Sequence, residues 1–306
     1  MTLPHIGFIG IGLMGEAMTL RLRAQGYGVT VWNRETDRLG AVIAAGAVPA
    51  ATPAQVAQHS DIVVLCVLDD AAVTQCTQGP QGLATQPACR ARLVIDCSTI
   101  APDTTRALAD FVLTQAGMQW LDAPVSGGPQ AARDGELTIM VGGRAQDFAQ
   151  ARPVLDALGR QVTHMGPSGA GQTAKIINQA IVGAGFVLMS EAALLAEAAG
   201  MDAAQLPVCL QGGFADSTLL QKVYPRIQAR AFDPPIGYAR QLSKDMQAVT
   251  AFAQTLQCEL PLVQAAARRF AQYVAAGGAM ADSASIIRLY ESEAAARGPA
   301  EEGTAP

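Results

Sequence analysis

Two hydrophobic patterns divide the chain. Through residue 165, short apolar runs alternate with stretches in which apolar side chains recur every three or four positions. The runs at 5–10, 28–32, 62–67, 93–96, 136–141 and 161–165 have strand length. Helical spacing follows near 36–45, 70–76, 103–115 and 146–158. Alternation of this kind predicts a parallel sheet flanked by helices. After Ser168 no convincing strand pattern appears. A long apolar helix runs to about Ala199 and is closed by Gly200, and further helices are expected near 203–210, 217–224, 238–257, 261–276 and 283–293. Pro207, Pro225, Pro234, Pro235 and Pro261 punctuate them. The expectation is an α/β domain over 1–165, then an all-helical domain over 166–306 entered through a long interdomain helix. The tail at 297–306, rich in Gly, Pro and Glu, reads as frayed.

Composition narrows the function classes. Of the 306 residues, 50% are hydrophobic and 15% charged, which fits an ordered globular chain. A formal net charge of -5 without a long basic run argues against nucleic acid and anionic membrane as partners. No uninterrupted apolar run reaches the roughly 18 to 20 residues of a membrane span. The start enters a strand at once, which argues against a secretion signal. Six cysteines without a C-x-x-C pair and three scattered histidines (His5, His59, His164) predict neither a disulfide framework nor a metal site. A reducing cytoplasm is the expected compartment.

Between the first strand and first helix lies Gly10-Ile11-Gly12-Leu13-Met14-Gly15. This is G-x-G-x-x-G in the strand–turn–helix context that a dinucleotide fingerprint requires, so the first domain reads as a Rossmann-type fold. Gly10 permits the tight turn, Gly12 lets backbone approach a pyrophosphate, and Gly15 lets helix pack on strand. The second strand ends in Asn33-Arg34, followed by Glu35 and Thr36. An acid at this point favours NAD, whereas an arginine can clamp a 2'-phosphate, so Arg34 with Asn33 and Thr36 as neutral donors predicts NADP, with NAD the alternative.

Ligands of such sheets sit beyond the carboxyl ends of strands. Thr99 can offer a hydroxyl to the nicotinamide side, and Ser126-Gly127-Gly128 can offer a hydroxyl and close-approaching N–H groups to a carboxylate. In the stretch from Gly166 to Gln179, Lys175 lies about one turn inside the long helix, flanked by Asn178 and Gln179. A cation beside carboxamides, near a helix start whose N–H groups favour anions, can hold and protonate an anionic substrate.

Taken together, G-x-G-x-M-G-x-x-M at 10–18, D-A-P-V-S-G-G at 122–128, G-x-G-x-x-x-K-x-x-N-Q at 169–179 and K-D at 244–245 resemble the β-hydroxyacid dehydrogenase family across essentially the whole chain. The resemblance implies that Lys175 is the catalytic lysine and Asn178 its substrate-orienting companion. It implies that Ser126, Gly127, Gly128 and Gln179 belong to the substrate site, and that Thr99 touches both cofactor and substrate. Val67, Leu68 and Lys244 would line the cofactor, Leu68 standing where the family often has proline. The stretch at 212–217 resembles the branch that reduces 2-hydroxy-3-oxopropionate (tartronate semialdehyde). Members acting on 3-hydroxyisobutyrate, glyoxylate or succinic semialdehyde are the alternatives, and a non-catalytic dinucleotide sensor is an alternative of another class. A small carboxylate substrate and a homodimer or homotetramer built on the long helix are the expected partners.

Overall fold

The computed structural model describes residues 3–85 and 89–297, so the expectation of a frayed end beyond 297 lies outside the described residues. The chain divides into two compact units, Met1–Lys175 and Ile176–Pro306.

In the first unit β1 (Ile6–Ile9), α1 (Leu13–Ala24) and β2 (Val29–Trp32) lead into a short 3₁₀ turn and α2 (Gly40–Ala44). Next come β3 (Val48–Pro49), α3 (Pro53–His59), β4 (Ile62–Leu65), α4 (Asp70–Gln78), β5 (Leu93–Asp96) and α5 (Pro102–Ala116). The unit then runs through β6 (Gln119–Asp122), β7 (Val125–Ser126), α6 (Gly128–Asp134), β8 (Leu137–Gly142), α7 (Ala145–Leu158) and β9 (Gly159–Gly166). The strands form one sheet in the order β3-β2-β1-β4-β5-β6-β8-β7, with β9 beside β8. From β3 to β6 every pairing is parallel, while β8 runs antiparallel to β6 and β7. The parallel sheet flanked by helices that the alternation predicts is thus present from β3 to β6, and the direction reverses at β8 because the chain reaches it through the short β7–α6 excursion, not a full crossover helix. Four small elements carried too little pattern to be anticipated, namely β3, α3, β7 and α6. For α3 the signal was Thr52-Pro53, a side-chain N-cap followed by proline in the first turn.

Both faces of the sheet are buried, which explains the continuous apolar runs. Ile6, Phe8, Val29, Val31, Val64 and Ile95 pack with Ala17, Met18 and Leu22 of α1 on one side. Ile9, Val63, Leu65 and Val94 pack with Val56 of α3 on the other. Each fully buried side chain of this size contributes about 1.5–3 kcal/mol.

Helix α8 (Ala170–Ala198) carries the chain out of the first unit. Helices α9 (Leu206–Leu210), α10 (Thr218–Lys222), α11 (Tyr224–Gln228), α12 (Ala239–Thr255), α13 (Pro261–Ala275) and α14 (Ile287–Arg297) follow. Val187 of α8 shares a core with Leu242, Met246, Phe270 and Ile286. Among the described residues α8 is the one helix long and apolar enough to cross a membrane by length and composition. A helix that serves as the core of its domain passes the same test, and Asn178, Gln179, Glu191 and Glu197 interrupt its apolar run, so no uninterrupted run of span length occurs.

Candidate active site

The carboxyl ends of β1, β2, β4, β5 and β6 lie side by side, and the segments that leave them hold most of the residues singled out from sequence. At the end of β1, Gly10 adopts φ +98°. A Cβ on Gly15 would lie 1.8 Å from the Gly10 carbonyl oxygen, so α1 packs on the turn at a distance that only glycine allows. A Cβ on Gly12 would meet nothing within 4 Å. Gly12 is the N-cap of α1 and no side chain caps that end. An open backbone at an uncapped helix start, with Ile11 buried beneath it and Leu13 exposed on its rim, fits a pyrophosphate.

Asn33, at the end of β2, is buried, and its carboxamide is engaged within the protein. Its Oδ1 accepts from the Ile11 N–H at 2.8 Å and its Nδ2 donates to the Glu35 carbonyl at 2.8 Å. Asn33 therefore braces the glycine turn. Arg34 is exposed and donates through Nε and Nη2 to Glu35 Oε1 at 2.9 and 2.8 Å. That bond holds the Glu35 carboxyl below its ordinary range. Thr36 opens the exposed 3₁₀ turn that follows.

Beyond β4 and β5 the positions expected on the cofactor side are tied together. The Val67 N–H donates to Ser98 Oγ at 3.0 Å, and the Ser98 N–H donates to Asp96 Oδ1 at 3.0 Å. Leu68 is 57% exposed, and Thr99 is half-buried. Asp96 is buried with Oδ2 unpartnered, and burial pushes its carboxyl up to about 7. Burial also pushes the Cys66 thiol up to about 12 and raises Cys97 well above its ordinary value, which makes both poor nucleophiles.

Helix α8 is fastened at its start by Asp122, the last residue of β6. The Gly169 and Gln172 N–H groups donate to its Oδ1 and Oδ2 at 2.8 and 2.9 Å. Burial raises the Asp122 carboxyl, and these N–H groups, with that of Gly171, pull it back down. The expectation that N–H groups at this helix start would receive an anionic substrate is thus corrected, since the protein's own carboxylate takes them. Sequence reasoning quoted Asp122 within a motif and gave it no role.

One turn further along α8, Lys175 is 7% exposed, and its Nζ donates to the Val125 carbonyl at 2.8 Å. That carbonyl immediately precedes Ser126, Gly127 and Gly128. Gly127 takes φ +132° and Gly128 φ +77°, and a Cβ on Gly128 would meet nothing within 4 Å. The structure therefore brings the buried ammonium to the edge of the Ser-Gly-Gly turn. Within the second unit, Asn178 Nδ2 donates to Gln179 Oε1 at 2.8 Å, and Gln179 Nε2 donates to Asp245 Oδ2 at 2.6 Å. Lys244 lies 3.4 Å from Asp245 Oδ1. Gln179 is thus a link between Asn178 and Asp245, a pairing that sequence spacing could not reveal. Among the described residues no group of three or more His, Cys, Asp or Glu could hold a metal ion.

Comparison with known proteins agrees with this geometry. Residues 5–166 match the family described as the NAD-binding domain of 6-phosphogluconate dehydrogenase. Residues 169–290 match the family described as NAD-binding of NADP-dependent 3-hydroxyisobutyrate dehydrogenase. The chain is 35% identical over 288 residues to 2-hydroxy-3-oxopropionate reductase of Escherichia coli K12, spanning 94% of this chain and 97% of that protein. To 3-hydroxyisobutyrate dehydrogenase of Pseudomonas aeruginosa it is 34% identical over 297 residues, spanning 94% and 99%. The solved structure of Mycobacterium tuberculosis 3-hydroxyisobutyrate dehydrogenase with L-serine superposes with a TM-score of 0.84 at 27% identity, covering 94% of this chain and 99% of that one. Glycine turn, carboxylate-fastened helix and buried lysine come with whole-length relatives, and the chain accordingly belongs to the β-hydroxyacid dehydrogenases, enzymes that act on CH–OH groups with a nicotinamide dinucleotide.

Proposed function

We infer that the protein reduces a small 3-oxo acid to its β-hydroxy acid with NADPH, and that 2-hydroxy-3-oxopropionate is the substrate. The observation that carries this reading is the buried Lys175 ammonium anchored on the Val125 carbonyl beside Ser126-Gly127-Gly128. The dinucleotide, when bound, supplies the hydride. The Ser126 hydroxyl and the N–H groups of the turn hold the substrate carboxylate. Lys175 carries a proton at Nζ, stabilises the negative charge that grows on the carbonyl oxygen and then neutralises it. Asn178, three residues further along α8, orients the substrate.

Gly10 to Gly15 would receive the pyrophosphate and Arg34 the 2'-phosphate, with Thr36 beside it. A phosphate is a stronger partner than Glu35 for the Arg34 fork, because it has more charge and three acceptor oxygens. Val67, Leu68 and Thr99 are read as the nicotinamide side. The choice among substrates is favoured by the Escherichia coli relative, and 3-hydroxyisobutyrate is the second reading because the Pseudomonas relative is nearly as similar. We also read the protein as a cytoplasmic homodimer or homotetramer, since Ile177, Ile181, Leu188 and Leu195 leave an exposed apolar stripe along α8. The test is NADPH consumption by the purified protein against tartronate, methylmalonate and succinic semialdehydes and glyoxylate. Tartronate semialdehyde should give the highest kcat/KM, and no turnover with any of the four would refute the reading.

A further inference from the structure

We propose that Gln172 is a positioning residue for the reaction, a clasp that fixes the Thr99 segment against the helix bearing Lys175. The proposal rests on the reading of Thr99 and Lys175 given above. Gln172 is fully buried in the first turn of α8, three residues before Lys175. Its carboxamide grips the backbone on both sides of Thr99. Nε2 donates to the Ser98 carbonyl at 2.8 Å, and Oε1 accepts from the Ile100 N–H at 3.2 Å. Its own N–H donates to Asp122 at 2.9 Å, so one residue joins the ends of β5 and β6 to the start of α8.

The chemistry at this position demands a neutral amide. The Ser98 carbonyl requires a donor and the Ile100 N–H an acceptor, and both are buried, so an apolar residue of the same size would leave two backbone groups unpaired. A carboxylate would place an acceptor against the Ser98 carbonyl. Through Ser98 the grip reaches further, because Ser98 Oγ also accepts from the Val67 N–H at 3.0 Å. Two segments read as cofactor-side and the helix read as carrying the acid are thus held in one hydrogen-bonded frame. An error of about 1 Å between such parts costs up to about 100-fold in rate.

Gln172→Met and Gln172→Glu test this in the full-length enzyme. Gln172→Met removes both bonds at nearly constant volume, and kcat should fall about 10- to 100-fold at every pH while the Kd for NADPH changes less than about twofold. In Gln172→Glu the protonated carboxyl restores both bonds and the ionised one cannot. Its kcat should approach the wild-type value on the acid side and fall as pH rises through the pKa of the new group. Burial and the carboxyls of Asp122 on β6 and Asp96 on β5 push that pKa up, and Lys175 on α8 pulls it down. A residue that only filled space would add no such limb to the pH profile. Amide exchange at Ile100 gives a readout without turnover and should speed up at least about tenfold in Gln172→Met as the bond is lost. Unchanged exchange at Ile100, or a Gln172→Met kcat within twofold of wild type, would overturn the clasp. Wild-type protein inactive on all four aldehydes, with exchange at Ile100 still accelerated, would instead refute the assigned reaction and leave the clasp's structural grip standing.

Discussion

Two glycine-rich turns launch helices in the first unit, and they handle the same electrostatic feature in opposite ways. Gly10 to Gly15 leads into α1, and Gly166 to Gly171 leads into α8. Each helix start concentrates unpaired backbone N–H groups and a partial positive charge. At α1 no side chain caps that end, and the space above Gly12 is open. At α8 the Asp122 carboxylate occupies the N–H groups of Gly169 and Gln172. An open start suits an external anion, while a closed one serves as a rigid mount. A glycine-rich sequence before a helix therefore signals a close backbone approach without saying whether the approaching group is a ligand or the protein's own acid.

The sharpest way to break the comparison is at the mounted end. Lys175→Ala should lower kcat by roughly 10² to 10⁴ with little change in dinucleotide affinity, measured by steady-state kinetics and fluorescence titration. Near-full turnover in that variant would strip α8 of its proposed chemical purpose.

Next comes the contrast between two carboxylates that face each other in register, Asp122 with N–H donors on both oxygens and Asp96 with Oδ1 held by Ser98 and Oδ2 unpartnered. Because the folded Asp96 carboxyl is raised from 3.8 to about 7, the stability it contributes is complete below about pH 4 and is lost as pH rises through about 7. Asp96→Asn removes this loss. Urea unfolding should show the stability difference moving in the variant's favour by at most about 4 kcal/mol between pH 4 and pH 8. A constant difference across that range would mean that Asp96 titrates normally.

Glycine substitutions then separate open from closed. On Gly171 a Cβ would meet the Met140 carbonyl oxygen at 2.4 Å and the Asp122 carbonyl oxygen at 2.6 Å, so Gly171→Ala should destabilise the fold by about 1–3 kcal/mol. Gly12→Val meets no such wall, and it should leave Tm nearly unchanged while weakening NADPH binding about tenfold, the worth of one charged hydrogen bond. The smallest effect lies at the rim: Arg34→Ala should raise the KM for NADPH by about tenfold or less and leave that for NADH nearly constant. Equal changes for both coenzymes would remove Arg34 from phosphate recognition.

Much of this was legible in the chain. Strand and helix alternation, the glycine turn and the place of Lys175 one turn inside its helix follow from local pattern, because a period or a short motif lies within a few residues, whereas the burial of Lys175 does not. Strand direction does not: Leu137 to Gly142 reads the same whether it runs with or against β6. Contacts distant in sequence were equally silent. The bonds from Asp122 to α8 and from Gln172 to Ser98 and Ile100 join segments brought together only by the completed sheet. Asn33 was read as a donor for the coenzyme from its place at the end of β2, whereas the fold aims its carboxamide inward at Ile11 and Glu35. Gln172 did leave a faint trace, a carboxamide among the small residues Ala170, Gly171, Thr173 and Ala174 of the helix start.

The inward-facing Asn33 has a practical consequence for redesign. Since Asn33 braces the glycine turn from beneath through the Ile11 N–H and the Glu35 backbone carbonyl, Arg34 can be rewritten without loosening it, whereas the Glu35 side chain also accepts from Asn33 Nδ2 at 3.3 Å. On the proposed reading of Arg34, coenzyme selectivity is an exchangeable label on the outside of the turn, separable from the machinery that keeps the turn in shape.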